Sequence, residues 1–227
     1  MPTRRGLLLG SGAALLVSRP VFALAQEIVQ VPTLPRRPVG GEIAFEIFRE
    51  GSRIGHHRLT FKGSKEDFQV AIDVEMVVKI GFIPVFRYEH NNLERWERGH
   101  FVGLDAKTNN DGDELKTTVS STDKGFRVES TGKKTYLAPT DALAATHWNI
   151  DELNGPMINP QNGDLLRPDV VKLGSDQVEL ADGGDMPATG YKLKMKDPLS
   201  LWYDHDEQWA ALDFTAGDGS TVSYRKV

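Results

Sequence analysis

The chain has 227 residues, of which 39% are hydrophobic and 26% are charged, a composition typical of a folded globular protein. Its net charge of -5 comes without a basic stripe, which excludes the usual electrostatic footprint of a nucleic-acid-binding protein. The sequence contains no cysteine, so disulfide bonds, thiolate metal ligands and a cysteine nucleophile are excluded as well.

The first 25 residues have the layout of a signal peptide. Arg4 and Arg5 precede a weakly apolar run from Gly6 to Val17, and Ala23 and Ala25 flank Leu24 in a small-x-small cleavage site. The arginine pair before a core of low hydrophobicity resembles the twin-arginine export motif. A general secretory signal with a chance arginine pair is the alternative. Either route predicts export, cleavage after Ala25, and a periplasmic or secreted protein.

The segments that follow predict a tether and one domain. The apolar run of the signal peptide is shorter than the roughly 20 residues of a membrane-spanning helix, so no transmembrane anchor is expected. Residues 26–41 contain three prolines and two glycines and predict an extended tether. No linker-like stretch interrupts residues 42–227, which predicts a single β domain there.

Alternation of apolar and polar residues predicts long β-strands. The clearest run extends from Phe68 to Ile80, where every even-numbered residue is apolar, while Asp73 and Glu75 lie between them. Because successive side chains of a strand point to opposite faces, we expect the even positions to be buried and Asp73 and Glu75 to be exposed.

The remaining elements predict a curled antiparallel sheet. Shorter alternating runs are separated by turn residues at regular spacing, as in Glu50-Gly51 and Asp111-Gly112. After Pro139 the spacing of the apolar residues becomes helical, which predicts a short helix near Thr140–Leu153. The expected fold is therefore all-β, a mostly antiparallel open barrel or β-spiral-like sheet with one short helix.

Four segments carry a family resemblance. They are Arg49–Gly55, with a glycine turn followed by Ile-Gly; Tyr88–Trp96, with the pattern Tyr-x-His…Glu-x-Trp; His147–Asn149; and Leu201–Asp204. Together they resemble an exported bacterial family known only as domain of unknown function 6134, over nearly the whole chain after the signal peptide. The resemblance implies a single exported β domain, similar to open barrels or β-spirals tied to envelope integrity, and no established activity.

Aromatic and histidine side chains are the candidates for a ligand site. Tyr88, His90 and Trp96 share parity on one predicted strand, so their side chains point to one face. Aromatic residues on strands most often pack in the core or across strands. The alternative is a cavity for an apolar ligand or lipid, which a barrel of this size can hold. The candidates for lining it are Tyr88, His90, Trp96, Trp148 and Trp202.

Few residues of the sequence point to catalysis. His90 and Glu94 are a possible acid–base pair, which would make the protein a hydrolase acting on an envelope component. The sequence contains neither G-x-S-x-G nor H-E-x-x-H, and Asp204-His205-Asp206 is typical of a turn rather than a cation site. We therefore expect a non-enzymatic binding or envelope-maintenance protein without a metal or cofactor. Its expected partner is an apolar ligand or an envelope protein, and not a nucleic acid.

Overall fold

The computed structural model describes residues 34–227. The predicted signal peptide, its cleavage site and residues 26–33 of the predicted tether lie outside the described residues. Residues 34–41 have no regular secondary structure but contact the domain. The Arg36 guanidinium lies 3.0 Å from the Glu207 carboxylate, and that of Arg37 lies 4.5 Å from the centre of the Phe68 ring. Within residues 34–227, no helix is long and apolar enough to cross a membrane.

Sixteen strands and one short helical turn occur in the described residues. The first eight strands are β1 (Glu42–Arg49), β2 (Ser52–Gly63), β3 (Phe68–Ile80), β4 (Ile83–Glu97), β5 (His100–Asn110), β6 (Asp113–Thr122), β7 (Gly125–Ser130) and β8 (Tyr136–Ala138). They are followed by β9 (Leu143–Ala144), the 3-10 turn Ile150–Asn154, β10 (Met157–Ile158) and β11 (Leu165–Leu166). The last five are β12 (Asp169–Glu179), β13 (Asp185–Lys194), β14 (Leu199–Tyr203), β15 (Trp209–Thr215) and β16 (Thr221–Lys226).

Thirteen of these strands form one large antiparallel sheet. Its order is β12-β13-β14-β15-β16-β1-β2-β3-β4-β5-β6-β7-β8, so β16 pairs with β1 and the sheet is not closed. The short strands β9, β10 and β11 form a second sheet, in which β9 and β10 are parallel. The prediction of an all-β, mostly antiparallel curled sheet is confirmed.

Alternation and register together create the inner face of the sheet. In β3, Phe68, Val70, Ile72 and Val74 are buried and Asp73 is exposed, as predicted. Strand pairing then aligns inner-face residues of neighbouring strands in rows. One such row crosses five strands and consists of Phe45, His57, Val74, His90 and Thr108.

The burial predicted for the end of β3 is wrong. Met76 and Val78 are only half-buried, and Ile80 is 72% exposed. The pairing of β2 with β3 begins at Gly55 and Met76, and that of β5 with β4 ends at Tyr88. Beyond these residues β3 and β4 pair only with each other and project from the sheet as a two-stranded arm. Phe86 still packs against the core, whereas Ile80 near the end of the arm has no core to cover it.

The predicted helix near Thr140–Leu153 is reduced to the 3-10 turn Ile150–Asn154. Leu143 and Ala144 pair with β10 instead, and His147 has φ of 68°, which a right-handed helix does not allow. The backbone N–H of His147 donates to the Glu152 carboxylate, and that of Thr146 is shared between this carboxylate and the Ala144 carbonyl oxygen two residues before it. Pairing with β10 and hydrogen bonds to the Glu152 side chain therefore override the helical spacing of the apolar residues.

Gly55 allows the close approach of β2 to β3. A Cβ atom at this position would overlap the carbonyl group of Glu75 on the neighbouring strand. We expect Gly55→Ala to lower the free energy of unfolding by about 1–3 kcal/mol, the usual cost of overpacking. Gly217→Ala is the matched control, since a Cβ atom there would meet nothing within 4 Å. Urea denaturation of the two variants tests this, and equal stabilities would contradict it.

Candidate functional site

A cavity of about 600 Å³ lies against the inner face of the large sheet. One wall comes from β3 through Ile72, Val74 and Met76. The short strand β10 adds Met157 from the other sheet. Strands β13, β14 and β15, with the turn between β13 and β14, provide further apolar side chains, among them Leu193, Met195, Leu199, Leu212 and Phe214.

Histidine and tyrosine side chains supply polar groups to this cavity. His57, Tyr88, His90 and Tyr224 reach it from β2, β4 and β16, and His147 reaches it from the loop after β9. Their placement follows from strand register, because His57 and His90 are the direct partners of Val74 on either side. The two imidazoles therefore flank one apolar side chain of the cavity wall.

His57 is a buried, uncharged imidazole among aromatic rings. It is 8% exposed, and its ring centre lies 5.2 Å from that of Trp209 and 5.7 Å from that of Tyr224. Neither ring nitrogen has a hydrogen-bond partner among the described residues. Burial lowers the pKa of His57 well below 6.5, and the nearby His147 and His90 lower it further. The ring therefore offers one donor and one acceptor in a neutral form.

His90 is also neutral, and one of its nitrogens is already paired. Nδ1 lies 2.8 Å from the Thr108 hydroxyl oxygen, and that hydroxyl lies 3.4 Å from the Gln161 carbonyl oxygen. When the hydroxyl donates to this carbonyl, its oxygen accepts from Nδ1–H and Nε2 is left as an acceptor. Burial lowers the pKa of His90 to about 4, so the ring is uncharged at neutral pH.

The tyrosine hydroxyls of the cavity are neutral donors, and the aspartate and lysine residues of its lining are exposed. Burial raises the pKa of Tyr88 and of Tyr224, so both hydroxyls remain protonated. Exposed residues provide the formally charged groups of the cavity lining: Asp164, Lys196 and Asp197. Within residues 34–227, no group of three or more His, Asp or Glu side chains is placed to hold a metal ion.

A second polar cluster surrounds Glu94, farther along β4. Glu94 is fully buried, and its Oε2 accepts from the indole N–H groups of Trp96, at 2.9 Å, and Trp148, at 3.1 Å. Its Oε1 lies 2.5 Å from the Thr146 hydroxyl. Burial raises the pKa of Glu94 to about 7, against the opposing effect of these three hydrogen bonds. Two of the family-like motifs, Tyr88–Trp96 and His147–Asn149, therefore meet at this carboxyl group.

Glu152 holds the neighbouring loop in place. It is 2% exposed, and its Oε2 accepts from the backbone N–H groups of Thr146 and His147, at 3.2 and 2.9 Å. Its Oε1 lies 2.6 Å from Nδ1 of His147. These contacts stabilise the left-handed backbone of His147 and orient its ring, whose centre lies 5.6 Å from that of Trp209.

The structure divides the five candidate ligand residues. Tyr88 and His90 line the cavity. Trp96 and Trp148 do not occur in the described lining and instead donate to Glu94. Trp202 packs on the other face of the large sheet, among Val178, Ala188, Ala210 and Ala211, because its neighbours in β14, Leu201 and Tyr203, point inward.

The two acid–base candidates are not equivalent either. His90 and Glu94 share the inner face of β4 with Asn92 between them, and only His90 is found in the described cavity lining. Both carboxyl oxygens of Glu94 already accept hydrogen bonds. In this structure the Glu94 carboxyl group therefore connects β4 to the Thr146–Trp148 loop.

Three of the five histidine and tyrosine residues that line the cavity were not among the sequence-based candidates. His57 has the parity of Leu59 and Phe61 on β2, and this parity could have placed it on the buried face. Tyr224 alternates with Val222 in the same way. No comparable signal exists for His147, since it lies in an irregular loop whose shape depends on Glu152.

Comparisons with known proteins agree with this architecture. The structure is similar to the crystal structure of a beta-barrel-like protein of domain of unknown function DUF1849 from Brucella abortus, with a TM-score of 0.58. The match covers 82% of this chain and 94% of that chain at 11% identity, so it shows the fold alone. A comparison with curated proteins finds no match. The family model for domain of unknown function DUF6134 matches residues 45–227, which confirms the resemblance seen in the motifs. This chain therefore belongs to the DUF6134 family.

Proposed function

We propose that this protein is an exported, non-enzymatic binding protein that holds an apolar ligand with an uncharged polar head. The cavity supports this proposal most directly. Its volume of about 600 Å³ falls within the range of ligand pockets, roughly 300–1,000 Å³. Its wall has more apolar than polar surface. Imidazole and phenol groups converge on it from β2, β4 and β16, and polar side chains of the loops complete the lining, which is compatible with a small-molecule site.

The charge of the lining favours an uncharged head group. His57 and His90 are neutral, and the hydroxyls of Tyr88 and Tyr224 stay protonated. A carboxylate or phosphate in this interior would lose its hydration without gaining a buried lysine or arginine of the described lining, which costs several kcal/mol. Lys196 is exposed beside Asp197, and His147 already pairs with the Glu152 carboxylate. A hydroxyl or amide can instead pair with imidazole and phenol groups in either direction.

Export is part of the proposal and is supported by the sequence of residues 1–25. The paired arginines, the apolar run and the small-x-small site together favour a cleaved, periplasmic or secreted protein. A ligand carried through an aqueous compartment needs a cavity that shields its apolar part from water. Binding therefore explains the cavity and the signal layout together, whereas hydrolysis by His90 and Glu94 would require a carboxyl group that solvent does not reach.

Native mass spectrometry of the protein recovered from the periplasmic fraction tests the proposal as a whole. We expect a polypeptide that begins at Gln26, together with a co-purified neutral lipid released on activation. A cytoplasmic protein that retains Met1 would contradict export. Protein without any small ligand would leave the decision to a binding measurement with defined amphiphiles.

That measurement is displacement of N-phenyl-1-naphthylamine, a neutral apolar fluorophore. We expect dodecanol to displace it at a concentration at least about tenfold lower than dodecanoate or dodecyl phosphate, a difference of about 1.4 kcal/mol. Val74→Phe, which fills the cavity between His57 and His90, should abolish binding, whereas Val77→Phe on the opposite face of β3 should not. Failure of all ligands would refute the binding site, and equal potencies would refute the neutral head group.

A further inference from the structure

The tip of the β3–β4 hairpin, residues 80–85, is apolar and exposed. Ile80, Phe82 and Ile83 are 72%, 101% and 69% exposed, and Val85 is 46% exposed. The other two residues are Gly81 and Pro84, so this tip contains no polar side chain. Single exposed apolar residues are ordinary, but a contiguous patch marks an interaction site.

The shape of the tip favours a fluid apolar partner over a protein groove. β3 and β4 pair only with each other beyond Met76 and Tyr88, so the tip stands free of the sheet. Phe82 is as exposed as in an extended peptide and is therefore accessible from every side. A protein groove would cover one side of such an arm and leave the other in water. Acyl chains can surround it completely.

The charges beside the tip complement phospholipid head groups. Lys79 and Arg87 are exposed and flank the apolar tip, one on each strand. No acidic residue occurs between them, and the nearest on the two strands are Glu75 and Glu89. Long basic side chains beside an apolar segment reach the phosphate level of a bilayer while the apolar part lies deeper.

The tip is also continuous with the cavity. Met76 lines the cavity and lies four residues before Ile80 on β3, and Tyr88 and His90 line it just after the tip on β4. A surface that holds the tip is therefore close to the cavity along the same two strands.

We propose that the β3–β4 hairpin tip docks on a phospholipid bilayer. Ile80, Phe82 and Ile83 enter the acyl-chain region, and Lys79 and Arg87 contact the phosphate groups. This goes beyond the proposed binding function and does not depend on it, because the tip can reach a bilayer whether or not the cavity holds a ligand.

Flotation with vesicles of phosphatidylethanolamine and phosphatidylglycerol tests the proposal. We expect the double variant Phe82→Ser, Ile83→Ser to bind vesicles at least about tenfold more weakly. Burial of a single large apolar side chain already contributes enough binding free energy for a tenfold change. The matched control is Leu137→Ser with Leu173→Ser, which removes two exposed apolar side chains elsewhere and should leave binding unchanged. All forms carry the same N-terminus, so any contribution from residues 1–25 is common to them.

A fluorescent label gives a second, position-specific measurement. Because the sequence contains no cysteine, Phe82→Cys and Leu137→Cys can each be labelled at one site with nitrobenzoxadiazole. We expect vesicles to blue-shift and brighten the label at position 82 but not that at position 137. Absence of flotation, equal binding by the tip variant, or equal label responses would overturn the proposal. So would dimerisation through the tip in place of vesicle binding, seen by sedimentation.

Discussion

Glu94→Leu is expected to lower the free energy of unfolding by at least about 2 kcal/mol, because it leaves two buried donors without an acceptor. These are the indole N–H groups of Trp96 and Trp148, while the Thr146 hydroxyl keeps only its 3.5 Å contact with the Ala144 carbonyl oxygen. Each unpaired buried group costs about 1–3 kcal/mol. Urea denaturation at pH 5.5 measures the effect.

Two controls separate this explanation from a general sensitivity of β4. Glu94→Gln keeps a carbonyl oxygen for both indoles, and its NH₂ group can donate to Thr146, whose hydroxyl lies 3.5 Å from the Ala144 carbonyl oxygen. It should therefore cost less than about 1 kcal/mol. Glu89→Leu changes an exposed residue of the same strand and should have a similarly small effect. A loss in Glu94→Leu no larger than in these controls would contradict the role assigned to Glu94.

The stability of the wild-type protein relative to Glu94→Gln is expected to fall as pH rises from 4.5 to above 7. The pKa of Glu94 is raised from 4.5 to about 7 in the folded protein, so the folded state binds more protons than the unfolded state in this interval. The stabilisation by the protonated Glu94 carboxyl group is complete below pH 4.5 and is lost as pH rises through about 7. The pKa change from 4.5 to about 7 corresponds to about 3 kcal/mol, at 1.36 kcal/mol per pKa unit.

Comparison with Glu94→Gln isolates this effect from other titrations. His57 and His90 have lowered pKa values and change stability in the opposite direction, but they are present in both proteins. Glu152 also faces Glu94 and is unchanged in the variant. Unfolding free energies of both proteins at several pH values give the difference directly. A difference that is constant with pH would show that Glu94 titrates as an ordinary carboxyl group.

The Glu94 cluster gives a physical meaning to two of the family motifs. The Glu-x-Trp pair of β4 places Glu94 and Trp96 on one face of a strand, and the His-Trp-Asn segment brings Trp148 to the same carboxyl group. The segments are 54 positions apart at Glu94 and Trp148, so their connection is tertiary. The Ile-Gly motif has a separate reason, since Gly55 allows β2 and β3 to approach closely.

Residues of the cavity and residues of the Glu94 cluster lie at different positions along β4. Inner-face residues of β4 follow the order Tyr88, His90, Asn92, Glu94, Trp96. The first two line the cavity, and the last two belong to the buried cluster. The apolar arm begins just before Tyr88. One strand therefore carries, in succession, the proposed membrane contact, part of the proposed ligand site and the buried Glu94 cluster.

The sequence by itself determined the strands, the inner face and the family. Side-chain alternation in a strand is a local property with a period of two, so burial from Phe68 to Val74 could be predicted without knowing any partner strand. The same rule placed Tyr88 and His90 on one face. The family resemblance could be seen in the sequence because each motif is a short continuous segment of the chain.

Only the tertiary structure decided which inner-face residues line the cavity and which form hydrogen bonds in the buried Glu94 cluster. Trp96 and Trp148 are held by a carboxyl group whose partners lie far apart in sequence, and Trp202 faces the other side of the sheet. The segment expected to be helical follows Glu152 instead, and Ile80 is exposed because neighbouring strands end before it. Each of these outcomes depends on long-range pairing and on buried hydrogen bonds, which local periodicity does not encode.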